Sequence, residues 1–427
     1  MAANPNTIVL QETWDKVYQI THHKMPVYPA ISNFRLQSGL EKNDIVNRQY
    51  PSTFVAFPMA GDGGYTRQTL TDTKEQLTIN REKETSFYLK ELDEIQSHLP
   101  TRTKYAYQAT AAIFHQVDAD VLGNYDQFTN DLDDGSLGGT ADNGILVDAS
   151  NVAKVFSGST KLLQRGNVMI DNVARFTGFK SEDDKNPMAV AIISPDVYQI
   201  IIQRLEGKDN VLGERVGVQG HAGMYMGYNL FVSNALGYSA KLLMGTQATD
   251  GDTVTVNGVV FTFKTTLGTT AGNILIGASA AASADAVVAV INDSENLANF
   301  NGGAGPSTAG TLYVELLQAN RNLLINTAAT DNTTNVTIKA KGAGFFAVSE
   351  TLTAAADVWT PALQIQHCLL GVANSIDVVL AKTPGLKVKD RDGKIGSDLV
   401  TWAAYGEKVF NEGKAKMIDV KVRTSAY

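Results

Sequence analysis

The sequence has one cysteine, no long apolar run and no cluster of basic residues, and each lack excludes a class of protein. Cys368 has no second cysteine to pair with, so a disulfide-stabilised secreted fold is excluded. The longest apolar runs, such as residues 188–193, are far shorter than the ~20 residues needed to span a bilayer. The first residues carry no basic leader followed by an apolar stretch. We therefore expect neither a secretory signal nor a membrane partner.

The charge balance also argues against a nucleic-acid-binding enzyme. The 427 residues carry 36 Lys and Arg against 44 Asp and Glu, a formal net charge of -8. No Lys/Arg run marks a groove for a phosphate backbone. Between residues 246 and 360 basic residues are especially rare and Thr, Ala, Asn and Gly abound. This change in composition predicts an inserted module.

The sequence lacks the common catalytic and metal-binding motifs. None of its six histidines stands at a metal-ligand spacing, and no nucleophile elbow is present. Cys368 lies in an apolar context, which is typical of a buried structural cysteine. Three acidic turns, at residues 131–135, 250–252 and 390–393, contain fragments of a calcium loop, but Asx turns explain them more simply. We predict no catalytic residue, no cofactor and no metal site.

The longest stretch with helical periodicity covers residues 101–125. Apolar residues recur at three- and four-residue spacing, as at Ile113, Val117 and Val121. Asp118 and Asp120 fall on the opposite, polar side of this helix. The pattern predicts one long helix whose polar residues face the outside of the subunit.

Two β-hairpins are predicted, one before the helix and one in the insert. Residues 52–58 and 75–80 have β-rich or alternating patterns and enclose a polar stretch, which predicts a long hairpin that needs a neighbouring surface. In the insert, an Asn-Gly pair at 257–258 predicts a tight turn that pairs Val256 with Val259. Residues 283–297 are predicted to form the helix that covers the apolar face of this second hairpin.

The order of these parts resembles the major capsid proteins of tailed bacteriophages. An arm rich in aromatic residues, a hairpin, the acidic link LKELDEIQ and a long helix ending in VDADVL follow one another. Further along, IISPDVY at 192–198 and GYNLFVSNAL at 227–236 are similar to segments of the apical domain in that family. Residues 402–422 resemble its closing strands. The resemblance covers most of the chain except residues 246–360.

The resemblance implies an α+β Hong Kong 97-like capsid fold with a small α+β insertion domain. Its parts would be residues 1–50 as N-terminal arm, 51–88 as extended loop, 89–186 completed by 400–427 as peripheral domain with spine helix 101–125, 187–245 with 366–399 as apical domain, and 246–365 as insertion domain.

The function implied is self-assembly of hexamers and pentamers into an icosahedral shell around double-stranded DNA, which the shell would enclose without sequence-specific binding. Scaffold, portal and decoration proteins are expected partners. The protein is expected to be located in the virion and to assemble in the host cytoplasm. No enzymatic role is implied. The side chains expected to contact other subunits are Trp14, Tyr18, Phe57, Tyr65, Arg67 and Lys74.

Two alternatives stay open at this point. An encapsulin-like compartment would share the fold but enclose cargo enzymes. A calcium-dependent surface or adhesion module would use the threonine-rich insert as its binding surface.

Overall fold

A computed structural model describes most of the 427 residues. The described ranges are 26–36, 45–50, 54–59, 67–90, 101–165, 189–206, 223–295, 312–324, 326–332, 335–342, 347–390 and 395–423.

The described helices and strands alternate along the chain in an α+β arrangement. The helices are α1 (Thr101–Leu122), α2 (Val152–Arg165), α3 (Pro195–Glu206), α4 (Ala280–Glu295), α5 (Gln318–Leu323) and α6 (Asn411–Lys414). The strands are β1 (Ser32–Asn33), β2 (Ile45–Tyr50), β3 (Thr73–Thr78), β4 (Arg81–Lys90), β5 (Asn130–Leu132), β6 (Ile145–Leu146), β7 (Ala189–Ile193), β8 (Met224–Tyr225), β9 (Tyr228–Val232), β10 (Tyr238–Leu243), β11 (Thr253–Val256), β12 (Val259–Lys264), β13 (Asn273–Leu275), β14 (Thr327–Asp331), β15 (Asn335–Ala340), β16 (Val348–Glu350), β17 (Ile365–Val372), β18 (Ile376–Asp390), β19 (Gly396–Lys408) and β20 (Met417–Arg423).

The largest sheet has ten strands among the described residues and runs in the order β14-β15-β10-β17-β7-β9-β8. The strand β20 pairs with β17 and, in parallel, with β5 and β6. Every residue of β17 is buried, as expected for a strand covered on both faces. Side chains from α2 and α3 complete the same hydrophobic core.

The junction between β7 and α3 forms as its sequence predicts. The apolar run becomes the fully buried strand β7, and Pro195 opens the helix. The Ser194 hydroxyl accepts the backbone N–H of Val197 at 3.3 Å, so it caps one of the helix's free amides.

A second sheet has the order β1-β18-β19-β4 and packs against α1. The rings of Phe87 on β4 and Tyr105 on α1 lie 5.6 Å apart. The apolar stripe of the predicted helix is confirmed, because Ile113, Val117 and Val121 are all buried. The α-helix ends at Leu122, and a 3₁₀ segment continues it from Gly123 to Gln127.

The prediction for the polar side of α1 is wrong at Asp118 and Asp120. Both are only 2 % exposed and lie inside the subunit. The Asp118 carboxylate accepts the backbone N–H groups of Val27 at 2.8 Å and Tyr28 at 2.6 Å. The Asp120 carboxylate accepts the Tyr405 hydroxyl. Partners far away in sequence satisfy these carboxylates, and a helical periodicity cannot reveal such partners.

The first hairpin also differs from its prediction. The partner of β3 is β2, with Ile45 opposite Thr78 and Tyr50 opposite Thr73, so residues 52–58 are not the pairing strand. Residues 54–59, which have the β-rich composition that prompted the prediction, carry no strand and are largely exposed.

In the insert, the sheet β13-β12-β11-β16 confirms the second hairpin in its predicted register, with Val256 opposite Val259 and Val254 opposite Phe261. Asn257 and Gly258 have positive φ angles of 50° and 81°, as a tight turn of this kind requires. The helix α4 begins at Ala280 rather than at residue 283 and buries Val287 and other side chains against the hairpin.

Residues 334–340 have the β-rich composition of a strand. They contain β15, which joins the large sheet rather than the sheet of the insert. It pairs along the whole of β10, and side chains of β10 such as Leu242 belong to the same hydrophobic core as the insert hairpin.

Several other predictions lie partly outside the described residues. Residues 149–176 have a helical pattern, and the structure describes a helix there only as α2, Val152–Arg165. The acidic turn at 390–393, except its first residue, lies outside them. Among the described helices, none is both long and apolar enough to cross a membrane.

Candidate intersubunit surface

The hairpin formed by β2 and β3 is anchored to the body of the subunit at its base. Leu77 is fully buried in a small cluster with Val379 and Phe410. Arg48 places its guanidinium 5.4 Å from the centre of the Phe410 ring. The Lys408 ammonium donates to the Gln76 carbonyl at 2.9 Å. These contacts fix the direction in which the chain leaves β2 and enters β3.

Beyond this base, apolar side chains are exposed to solvent. We define the apolar loop surface as Phe54, Val55, Phe57, Met59 and Leu70, whose exposed fractions are 69%, 60%, 55%, 77% and 68%. The Val55 backbone N–H donates to the Gln68 side-chain oxygen at 3.0 Å, which joins the two sides of the loop. A contiguous exposed apolar set of this kind is typical of an interaction site rather than of a free surface.

A second group of exposed apolar residues lies on the sheet that packs against α1. We define the strand-end surface as Tyr88, Leu386, Val388, Ile395 and Trp402. Leu386 lies opposite Thr401 and Val388 opposite Leu399, so these two residues share one sheet face. Tyr88 lies opposite Asp398, on the same face as Trp402, which is the other face of the sheet. The strand-end surface therefore spans both faces at this end of the sheet. The Tyr88 hydroxyl donates to the Ile395 carbonyl at 2.8 Å.

The structure places three of the six side chains predicted to contact other subunits. Phe57 belongs to the apolar loop surface, and Arg67 and Lys74 are exposed near it, Lys74 on β3 opposite Gln49. Trp14, Tyr18 and Tyr65 lie outside the described residues. The sequence reasoning did not single out Phe54, Met59 or Leu70, because the run at 52–58 was interpreted as a strand.

An ionic cluster holds the base of the hairpin. Arg48 lies 3.5 Å from the Asp377 carboxylate and 2.6 Å from that of Glu412. The Asn33 amide donates to Asp377 at 2.9 Å. Burial raises the pKa of Asp377 to about 6, and Arg48 offsets only part of that effect. Asp377 therefore changes its charge close to neutral pH.

We expect Asp377→Asn to remove a pH dependence of stability. A carboxyl with a raised pKa in the folded state makes the protein more stable as the pH falls through that pKa. Relative to the variant, the wild type should gain up to about 3 kcal/mol between pH 7 and pH 4. Urea denaturation at pH 7, 6, 5 and 4 measures this difference. A difference that stays constant with pH would contradict a raised pKa at Asp377.

The acidic turns bind backbone groups of the chain itself. The Asp250 carboxylate accepts the Thr265 N–H at 2.8 Å, and this hydrogen bond lowers its pKa. Burial acts to raise the pKa of Asp133, but the Ser136 hydroxyl and the N–H groups of Asp142 and Ser136 donate to its carboxylate and together lower that pKa. Within the described ranges, no group of three or more His, Cys, Asp or Glu residues is arranged to hold a metal ion.

The sequence search for catalytic motifs missed one side-chain cluster. Ser239 on β10, His367 on β17 and Asp419 on β20 meet at hydrogen-bonding distance. They are separated by 128 and 52 residues, and no local motif surrounds any of them. Only the pairing of the three strands brings them together.

No protein-family model and no curated protein matches the chain. Solved structures match over nearly its whole length. A structure from Mycobacterium phage Che8 covers 98% of both chains with a TM-score of 0.55 at 11% identity. The capsid structure of cyanophage P-SCSP1u covers 98% of this chain and 94% of its own, with a TM-score of 0.51 at 10% identity. The structure of the mature capsid of bacteriophage PhiM1 covers 98% of this chain and 93% of its own, with a TM-score of 0.50 at 10% identity.

The chain has a phage capsid fold. This confirms the Hong Kong 97-like α+β fold predicted from the order of the parts. In the capsid fold, α1 is the long helix that packs against the sheet β1-β18-β19-β4. At these identities the likeness is one of fold, and the assembly surfaces of this chain have to be argued from its own residues.

Proposed function

We propose that the chain is a major capsid protein, and that its hexamers and pentamers form an icosahedral shell that encloses double-stranded DNA. The observation that carries this proposal is the apolar loop surface, displayed from an anchored hairpin on a subunit with a phage capsid fold. The role of the chain in the shell is structural, the location is the virion, and assembly takes place in the host cytoplasm.

Burial of the apolar loop surface requires a second subunit. Its five side chains would each contribute roughly 1.5–3 kcal/mol if they were fully removed from water. The hairpin base is packed against its own subunit through the Arg48 and Leu77 contacts, and residues 54–59 lie exposed beyond it. A neighbouring copy of the same chain supplies the cover.

The strand-end surface is the counterpart that we propose on the neighbouring subunit. It is apolar like the loop and lies on a different part of the chain. Contact between two different surfaces is heterologous, and such contacts close into rings when the rotation between subunits allows it. Trp14, Tyr18, Tyr65, Arg67 and Lys74 would add contacts around this apolar centre.

We also propose the domain division that the sequence predicts, with the arm at 1–50, the loop at 51–88, the peripheral parts at 89–186 and 400–427, the apical parts at 187–245 and 366–399, and the insertion at 246–365. The buried cluster of the insert hairpin and α4 supports the insertion domain.

Scaffold, portal and decoration proteins would join the shell during its assembly. The net charge of -8 suits a wall that encloses DNA without sequence-specific binding.

Electron microscopy of the purified full chain tests the proposal. We expect closed shells with fivefold and sixfold clusters, either spontaneously or with the scaffold protein of the same phage. Light scattering across protein concentrations should show a steep rise above a critical concentration. A chain that stays monomeric at every concentration, with scaffold present, is not a shell protein.

A further inference from the structure

A buried histidine joins a serine and an aspartate on three strands of the large sheet. His367 Nδ1 lies 2.8 Å and 2.9 Å from the two carboxylate oxygens of Asp419. His367 Nε2 lies 2.8 Å from the Ser239 hydroxyl. All three side chains are buried. Neither assembly nor the proposed shell function uses this cluster.

In a neutral imidazole, the hydrogen bonds fix which of the two nitrogens carries the proton. The Asp419 carboxylate can only accept, so Nδ1 carries the hydrogen and donates it. Nε2 is then the basic nitrogen and accepts the hydrogen of the Ser239 hydroxyl. A serine whose proton is held by a histidine, which a carboxylate orients in turn, is the arrangement that activates a serine nucleophile.

The ring of Tyr125 also restricts the orientation of the His367 imidazole. The Tyr125 ring stacks on His367 with 3.6 Å between ring centres and 8° between ring planes. Tyr125 fits there because residue 237 is a glycine: a Cβ at Gly237 would lie 2.3 Å from the Tyr125 ring. The ring therefore cannot turn away from Ser239 without displacing Tyr125.

Ser239 borders a cavity of about 380 Å³, which is large enough for a small ligand. Lys241, Lys339 and Lys421 also line it. Lys339 pairs with Asp126 at 2.9 Å and Lys421 with Asp131 at 2.6 Å. Lys241 forms no ion pair within 4.0 Å in the described part of the chain, so its ammonium is available to a ligand.

We propose that Ser239 is an activated nucleophile that accepts the acyl group of small activated esters entering this cavity. The Ser239 oxygen forms a bond to the carbonyl carbon while its proton passes to His367 Nε2. The ester bond then breaks, and the leaving oxygen takes that proton. Water repeats the sequence on the acyl-serine and releases the acid.

The surroundings of Ser239 restrict the substrate class. The strand β10 pairs at Ser239 with β15 on one edge and with β17 on the other, so ladder hydrogen bonds occupy its backbone. Positive charge from Lys241, rather than backbone amides, has to stabilise an oxyanion. Esters with good leaving groups should react, and peptides should not.

Labelling the purified full chain with an alkyl fluorophosphonate tests the proposal. The Ser239 oxygen bonds to phosphorus, fluoride leaves, and His367 takes the proton. Mass spectrometry should find the label on Ser239. We expect the labelling rate of Ser239 to exceed that of Ser157 about 10²-fold, because Ser157 lines another cavity whose described lining residues include no histidine. Release of p-nitrophenol from its acetate ester should show the same dependence on Ser239.

Variants separate reactivity from folding. Ser239→Ala should abolish labelling, whereas Ser157→Ala should retain it. Asp419→Asn should slow labelling at least about tenfold while circular dichroism stays that of the wild type.

Two outcomes would overturn the proposal. In the first, folded wild-type protein labels Ser239 no faster than Ser157. In the second, labelling of the chain persists unchanged in Ser239→Ala. If His367→Gln lowers the unfolding temperature while the wild type stays unreactive, the cluster only holds β10, β17 and β20 together.

Discussion

Replacing Phe54, Phe57 and Met59 together by serine should prevent shell assembly and leave the subunit folded. The three side chains are exposed in the single subunit, so their loss removes little from its own core. If a neighbour covers even half of their apolar area, the contact loses about 4 kcal/mol. That corresponds to roughly a 10³-fold weaker association. Sedimentation velocity and electron microscopy measure the loss of shells.

A matched variant distinguishes the proposed contact from a general effect of surface polarity. Val260, Leu317 and Leu323 are exposed to similar extents in the insert, at 49%, 47% and 54%. Their joint replacement by serine should leave assembly unchanged. The thermal unfolding of both triple variants as free subunits should match that of the wild type. Normal shells from the variant at Phe54, Phe57 and Met59 would show that the loop is not an assembly contact.

Replacing Arg81 by methionine should cause the largest loss of subunit stability. Arg81 on β4 lies 3.0 Å from Glu407 on β19 and 3.5 Å from Asp120 on α1. Both carboxylates are buried, with only 2% of each side chain exposed. Without the guanidinium, these two buried carboxylates lose the cation that pairs with both of them. Breaking such a buried arrangement costs about 3–5 kcal/mol.

The loss of subunit stability caused by Arg81→Met should decrease as the pH falls. Burial raises the pKa of Glu407; Arg81 counteracts this rise and the charge of Asp120 adds to it. A carboxyl with a raised pKa makes the folded state more stable as the pH falls through that pKa. The difference between Arg81→Met and wild type should therefore be largest at neutral pH and shrink in acid. Chemical denaturation at several pH values measures it, with Arg165→Met, an exposed arginine on α2, as control.

Local patterns predicted the elements whose partners are close in sequence. The hairpin of β11 and β12 followed from its Asn-Gly turn, and the junction of β7 and α3 from Ser194 and Pro195. The order of the parts was sufficient to predict the fold class. In each of these cases, the deciding information lies within a few residues or in the sequence of elements.

The predictions that failed concern residues whose contact partners are far away in the sequence. Asp118 and Asp120 were predicted to face outward, because nothing local reveals the backbone of Val27 or the hydroxyl of Tyr405. The β-rich run at 52–58 was predicted to pair, but β2 takes its place beside β3. Ser239, His367 and Asp419 come together only through strand pairing across long stretches of chain. Candidate sites of this kind require the tertiary structure.

The position of β20 also bears on how a subunit is made. In β20, Ile418 pairs with Asn130 of β5 and Val422 with Ile145 of β6, at separations of roughly 280 residues. The same strand also pairs with the fully buried strand β17. Because the ribosome adds residues from the N-terminus at about 5–20 per second, β5 and β17 wait for their common neighbour until this part has been translated. The large sheet therefore forms late, after most of the chain has emerged. Until then, a nascent chain lacks the complete large sheet. We therefore expect a subunit to become competent to assemble only after β20 has been synthesised.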